Sequence, residues 1–213
     1  PEEADYFFRL GLVYIKQGRF SEAIECFKDT VIKDPVHYEA YYNAGLLYVQ
    51  QGCSREAAAM FLKAAHVRPG EAQTYRDLGD SYFLLGDFEK AVEQFRQAVS
   101  LSRGDVYSYY RIGCILTEYL DKHQDALEAL RTAVRMKGDF CDAHFHLGKV
   151  CIKLKRYKEA VRAFKSVVQL EDDHVQGHYY LGLCYVMPKD YPAARRHCGY
   201  LKKHDEDMAD NLQ

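Results

Sequence analysis

Tryptophan is absent from the 213 residues, and proline is scarce at five, so few positions forbid a continuing helix. No apolar run approaches the roughly 20 residues a membrane-spanning helix needs, and membrane insertion is not expected. Net charge is also lacking: at −2 the chain makes no overall case for nucleic acid or an anionic surface. No stretch of the sequence reads as a signal peptide. The seven cysteines are odd in number and scattered over helical positions, which argues against a disulfide framework. They read as reduced packing thiols of a cytoplasmic protein. What the chain does have is 48% apolar residues, enough for a continuous core, and 18 tyrosines.

The tyrosines recur in register. From Ala72 to Asp105, Tyr75, Leu78, Gly79 and Tyr82 fall on one helical face, and Ala91, Phe95 and Ala98 resume the spacing after Gly86 and Asp87. Gly86 suits the left-handed position that closes a helix, and Asp87 is expected to cap the next through its side chain. Gly79 and Ala91 are small, so the two helices can approach closely there. Gly11, Gly45, Gly79, Gly113, Gly148 and Gly182 repeat this register every 34 or 35 residues, as do Ala23, Ala57, Ala91, Ala126, Ala160 and Ala194. One such hairpin cannot bury its apolar face, so it needs copies of itself.

A helix-turn-helix period near 34 is the tetratricopeptide signature, and the chain resembles the tetratricopeptide repeat (TPR) family over nearly its whole length. The resemblance implies an all-α, right-handed α-solenoid of six hairpins in one array spanning 1–213. Repeats are expected at about 4–37, 38–71, 72–105, 106–140, 141–174 and 175–203, and 204–213 would begin a capping helix whose Met208, Ala209 and Leu212 are amphipathic. Repeat four departs: Leu116 and Leu130 replace aromatics, and a turn without glycine carries one extra residue, which predicts an altered hairpin and not a break. Cys151 and Cys198 stand in for rings in repeats five and six, where Pro188 should end a helix and Pro192 fits the first turn of the next.

In this family the first helices line a concave groove that holds segments of other proteins, which implies a non-catalytic adaptor or assembly scaffold. The corresponding positions are Phe8, Tyr42, Arg76, Tyr110, Phe145 and Tyr179, an aromatic ladder broken once by arginine. Leu12, Leu46, Asp80, Cys114, Lys149 and Leu183 follow four residues on, and Ile15, Val49, Phe83, Thr117, Ile152 and Val186 three beyond those. The i, i+4, i+7 spacing places each trio on one face. An apolar peptide or amphipathic helix is the expected occupant, with Arg76 and Asp80 selecting polar groups. Packing of these residues between repeats is the alternative. The carboxylate-clamp subtype, which holds acidic chaperone tails, does not fit: Asn43 matches, but Phe8, Leu12, Gln73 and Asp77 occupy other clamp positions.

Between residues 149 and 165 seven bases stand against Glu159 alone, whereas residues 1–105 hold 12 bases and 16 acids. Lys149 and Lys153 are therefore candidates for steering an acidic flank of the partner, unless the stretch is merely a solvated helix face. Self-association through the terminal helix is the structural alternative, and an RNA-reading helical repeat is a remote one, since the ladder lacks polar base readers. No cofactor is expected. Cys141 with His144, and His174 with His178, have metal-ligand spacing, yet His144 and His178 occupy the slot of Phe7, Tyr41, Tyr75 and Tyr109, so packing accounts for them. Asp77 and Asp80 read as a solvated pair on an exposed helix, and no residue pattern points to catalysis.

Overall fold

The computed structural model describes residues 2–186 and 191–210; Pro188 and Leu212, both singled out above, lie outside them. The described residues are helical and contain no strand. In chain order the helices are α1 (Glu2–Lys16), α2 (Phe20–Lys33), α3 (Tyr38–Gln50), α4 (Ser54–Val67), α5 (Ala72–Leu84), α6 (Phe88–Leu101) and α7 (Val106–Glu118). They continue as α8 (His123–Met136), α9 (Cys141–Lys153), α10 (Tyr157–Leu170), α11 (Val175–Val186), α12 (Tyr191–His204) and the five-residue α13 (Glu206–Asp210). The fold is all-α, with consecutive helices in contact from α1 to α6 and from α8 to α13, and the chain divides into two compact units, residues 1–108 and 109–213.

The first five hairpins close because a glycine leaves room for a large side chain. A Cβ on Gly11 would stand 2.7 Å from the Phe27 ring, on Gly45 2.6 Å from Phe61, and on Gly79 3.0 Å from Phe95. Gly148 faces Phe164 in the same way, and Gly113 faces Leu130, so the leucine of the fourth hairpin fills the ring's place. Phe61, Phe95, Leu130 and Phe164 are inaccessible to solvent, and each such side chain contributes about 2–3 kcal/mol. Ala23, Ala57, Ala91, Ala126 and Ala160 are likewise inaccessible, because any larger group there would push the paired helices apart. In the first unit, cores centred on Phe27 and Phe61 join adjacent hairpins.

The hairpin turns share one backbone solution. Gly18, Gly52 and Gly86 take φ of +73°, +74° and +77°. The next amide then donates back to the helix just ended, Arg19 to the Tyr14 carbonyl at 2.9 Å and Asp87 to Tyr82 at 3.0 Å. In the fourth hairpin Asp121 takes φ +51°, and the extra residue makes Lys122 reach the Leu116 carbonyl at 2.9 Å. The hairpin is altered but closed. Lys155 fills the left-handed position of the fifth turn at +58°.

One expectation is corrected. Asp87 precedes α6, but its side chain makes no cap hydrogen bond; it pairs with Lys90 at 2.6 Å instead. Side-chain caps occur at first helices, where His37 accepts from the Ala40 amide at 3.2 Å, Asp105 from Ser108 at 3.1 Å and His174 from Gly177 at 3.0 Å. The reason is local: the Lys90 ammonium, in the first turn of α6, takes the carboxylate that would otherwise accept from the first-turn amides.

Candidate functional site

The first-helix face in each unit is built on those caps. Phe8 lies 4.6 Å from the His37 ring, Tyr110 4.8 Å from Phe140, and Phe145 5.2 Å from His174, between ring centroids. Arg76 makes the polar version of the same contact, donating to Asp105 at 3.3 Å. Four of the six ladder residues thus clasp the residue just before the next first helix, 29 or 30 positions along. Phe8, Leu12 and Ile15 also pack on the core around Phe27, and Tyr42 on the core around Phe61. The ladder rings are half-buried side chains wedged between successive hairpins. The signal for the clasp was in the sequence, as matched chemistry at a fixed offset: ring with ring, guanidinium with carboxylate.

A polar network occupies the same face of the first unit. Tyr42 donates its hydroxyl to Asp77 at 2.8 Å, Gln73 donates to the other Asp77 oxygen at 2.8 Å, and Arg76 donates to Gln73. Tyr107 donates to Asp80 at 2.9 Å. The reading of Asp77 and Asp80 as a solvated pair is therefore corrected: both carboxylates accept tyrosine hydroxyls from neighbouring hairpins. Burial, with the neighbouring Asp80 charge in support, raises the Asp77 carboxyl above its ordinary range. Desolvation and the Asp77 hydrogen bond together push the Tyr42 phenol up. Asp105 is almost wholly buried and also accepts from the Ser108 hydroxyl at 2.7 Å, so this acid holds both the clasp and the start of α7. Leu46 and Val49, one and two turns along from Tyr42, remain 40% and 42% exposed. Phe83 lies 5.7 Å from Phe88 within its own hairpin.

In the second unit, burial lifts the Tyr110 hydroxyl and pushes the neighbouring Cys114 thiol up to about 12, so neither ionises near neutrality. Tyr179 is half-buried, its ring 5.4 Å from Tyr180. Lys149 is bound by Glu118 of the preceding hairpin, while Lys153 is exposed. Arg156 pairs with Glu159 at 3.6 Å, and Arg131 reaches the same carboxylate at 2.6 Å. Part of the basic stretch is thus tied down within the fold. Ile152 and Leu183, on first helices of successive hairpins, line one apolar hollow of about 220 Å³ with Tyr157 and Cys184. The sequence placed both residues on the face but gave no sign that they would meet.

The paired histidines keep to packing. His144 contacts the Gly138 carbonyl at 2.9 Å and His178 the Asp172 carbonyl at 3.1 Å, equivalent bonds to the connection before each helix. His178 also stacks on Tyr200 at 3.7 Å. All seven cysteines are free thiols. No helix among the described residues is long and apolar enough to cross a membrane. Helix α13 lies on α12, with Ala209 fully buried and its carbonyl 3.7 Å from the Cys198 sulfur.

Comparison with known proteins places this architecture. Tetratricopeptide repeat models match residues 8–53, 37–104, 106–140 and 141–174. No curated protein matches the sequence significantly. Among solved structures, YrrB, described as a TPR protein with an unusual peptide-binding site, is 20% identical at a TM-score of 0.78, over 88% of this chain and 97% of its own. MamA is 23% identical at 0.75, over 82% and 95%. PilF of Pseudomonas aeruginosa is 16% identical at 0.72, over 100% and 97%. These likenesses are of fold. Proteins so built serve in general as interaction scaffolds, and with glycine-spaced hairpins matched by repeat models from residue 8 to 174, this chain belongs to the tetratricopeptide repeat family.

Proposed function

We propose that the chain is a non-catalytic adaptor of the cytoplasm that holds an extended or helical segment of a partner protein along its first-helix face. The observation that carries this reading is the hollow where Ile152 and Leu183 converge. It has room for one large apolar side chain, and its walls come from two successive hairpins, as expected of a site that reads a segment lying across the repeats. The first unit has its own exposed apolar groups in Leu46 and Val49, beside the fixed polar groups of Arg76, Asp77 and Asp80. YrrB, similarly folded, is described as having a peptide-binding site, which supports a peptide as the class of ligand. Because the ladder rings also hold hairpins together, aromatic anchoring is shared between fold and ligand. Tyr42 and Tyr110 would be poor probes, since removing either disturbs packing.

The cleaner test is affinity capture with the intact chain beside Ile152→Asp and Leu183→Asp variants, with helicity checked by circular dichroism. A partner retained by the intact chain and lost from both folded variants supports the groove. Equal capture by all three would overturn it.

A further inference from the structure

We propose that Cys141, Glu171 and His174 form a three-donor binding site for a thiophilic divalent cation of the zinc class. Their ligand atoms all lie within 4.8 Å of one another. The donors come from three places: the first residue of α9, the residue that ends α10, and the residue that caps α11. The sequence offered Cys141 with His144 and His174 with His178. The fold instead joins one member of each pair across 33 residues, and an exposed acid completes the set.

The position explains why these groups meet. In the second repeat the residues equivalent to Cys141 and Glu171 are Tyr38 and Arg68, and the guanidinium lies 4.2 Å over the tyrosine ring. In both the second and the fifth repeat the first residue of the first helix thus faces the end of its own hairpin. The other junctions carry Ala4, Asp34 and His37; Tyr38, Arg68 and Glu71; Ala72, Ser102 and Asp105; Val106, Lys137 and Phe140. Only Cys141, Glu171 and His174 supply a donor at all three positions.

The donor set also fits the chemistry. One thiolate, one imidazole and one carboxylate suit a borderline-soft ion with bond lengths of about 2.0–2.3 Å, and three protein ligands leave a fourth position for water. Cys141 is nearly buried, the Phe145 ring packs tilted against the imidazole with centroids 5.2 Å apart, and the exposed Glu171 carboxylate already lies against the thiol. On binding, the thiol proton leaves to solvent. The His174 Nδ1 lone pair now accepts from the Gly177 amide, so coordination through either ring nitrogen gives up that bond: Nδ1 would turn its lone pair to the metal, and Nε2 would need the proton moved to Nδ1. Occupancy is therefore felt at the start of α11.

The test is a titration of the reduced full chain with Co²⁺, followed by displacement with Zn²⁺. One equivalent should produce a thiolate-to-cobalt absorption band and tetrahedral ligand-field bands, and zinc should shift the Gly177 amide resonance. Cys141→Ser should abolish the thiolate band, Glu171→Gln and His174→Gln should each weaken binding at least tenfold, and Cys53→Ser should change nothing. Glu171 is exposed, so its variant decides the matter even if Cys141→Ser folds poorly. A missing band at one equivalent, a band that survives Cys141→Ser, affinity unchanged in Glu171→Gln, or an unmoved Gly177 resonance overturns the site.

Discussion

The third and fourth hairpins solve one packing problem with different parts. In the third, Gly79 faces the flat ring of Phe95 and Gly86 closes the turn; in the fourth, Gly113 faces the branched Leu130 and Asp121 closes it. A ring can slide past an added methyl, whereas a branched carbon has nowhere to turn. The comparison shows that the array tolerates a change of side-chain shape so long as the small partner and the left-handed turn persist.

The sharpest way to break that equivalence is to fill both glycines. Gly113→Ala should cost about 2–3 kcal/mol by overpacking Leu130, while Gly79→Ala should cost under about 1 kcal/mol, because the ring yields and alanine favours the helix. Equal losses in urea melts of the two variants would refute the shape argument. Next in size is the clasp. Asp105→Ala should cost about 2–3 kcal/mol, since it strips a nearly buried cap and leaves Arg76 without its carboxylate. Adding Arg76→Ala should then cost little more, and a double-mutant cycle with additive losses would dissolve the pairing.

Acid should separate the units by an intermediate amount. Burial, followed by the nearby His178 charge, lowers His197 of the second unit to about 4. A histidine depressed in the fold binds its proton more readily when unfolded, so its contribution is complete above the unfolded value near 6.5 and is lost as pH falls toward 4. For a group still partly open to water the loss is about 1–2 kcal/mol. His197→Gln should flatten the decline in melting temperature over that window; an unchanged slope would assign the decline to other groups. The smallest effects belong to the turns. Lys155→Gly should stabilise by up to about 1 kcal/mol, and Asp121→Gly by less, because aspartate tolerates positive φ better than lysine does.

The glycine and alanine register was legible because close approach of two helices is a hard-sphere demand that few residues satisfy. The closing turns were legible where glycine marks them, as at Gly86, and hidden at Lys155, where the fold imposes the conformation on a residue that resists it. Asp87 misled because aspartate is a favoured cap in isolation, whereas here Lys90 takes its carboxylate. The face itself could be located from family spacing, but its state could not. Phe8 and Tyr110 read as free anchors until the residues 29 or 30 positions away are seen against them, and the meeting of Ile152 with Leu183 depends on how two hairpins stack.

The clasp has a consequence for how such a chain lengthens. Phe8 and His37, Arg76 and Asp105, Tyr110 and Phe140, Phe145 and His174 each lie inside a single stretch of 34 or 35 residues, at its fifth and last positions. A gene segment duplicated on those boundaries brings both jaws with it. Ring-based and charge-based copies can then stand side by side without being matched to one another, and the array inherits its joints one whole piece at a time.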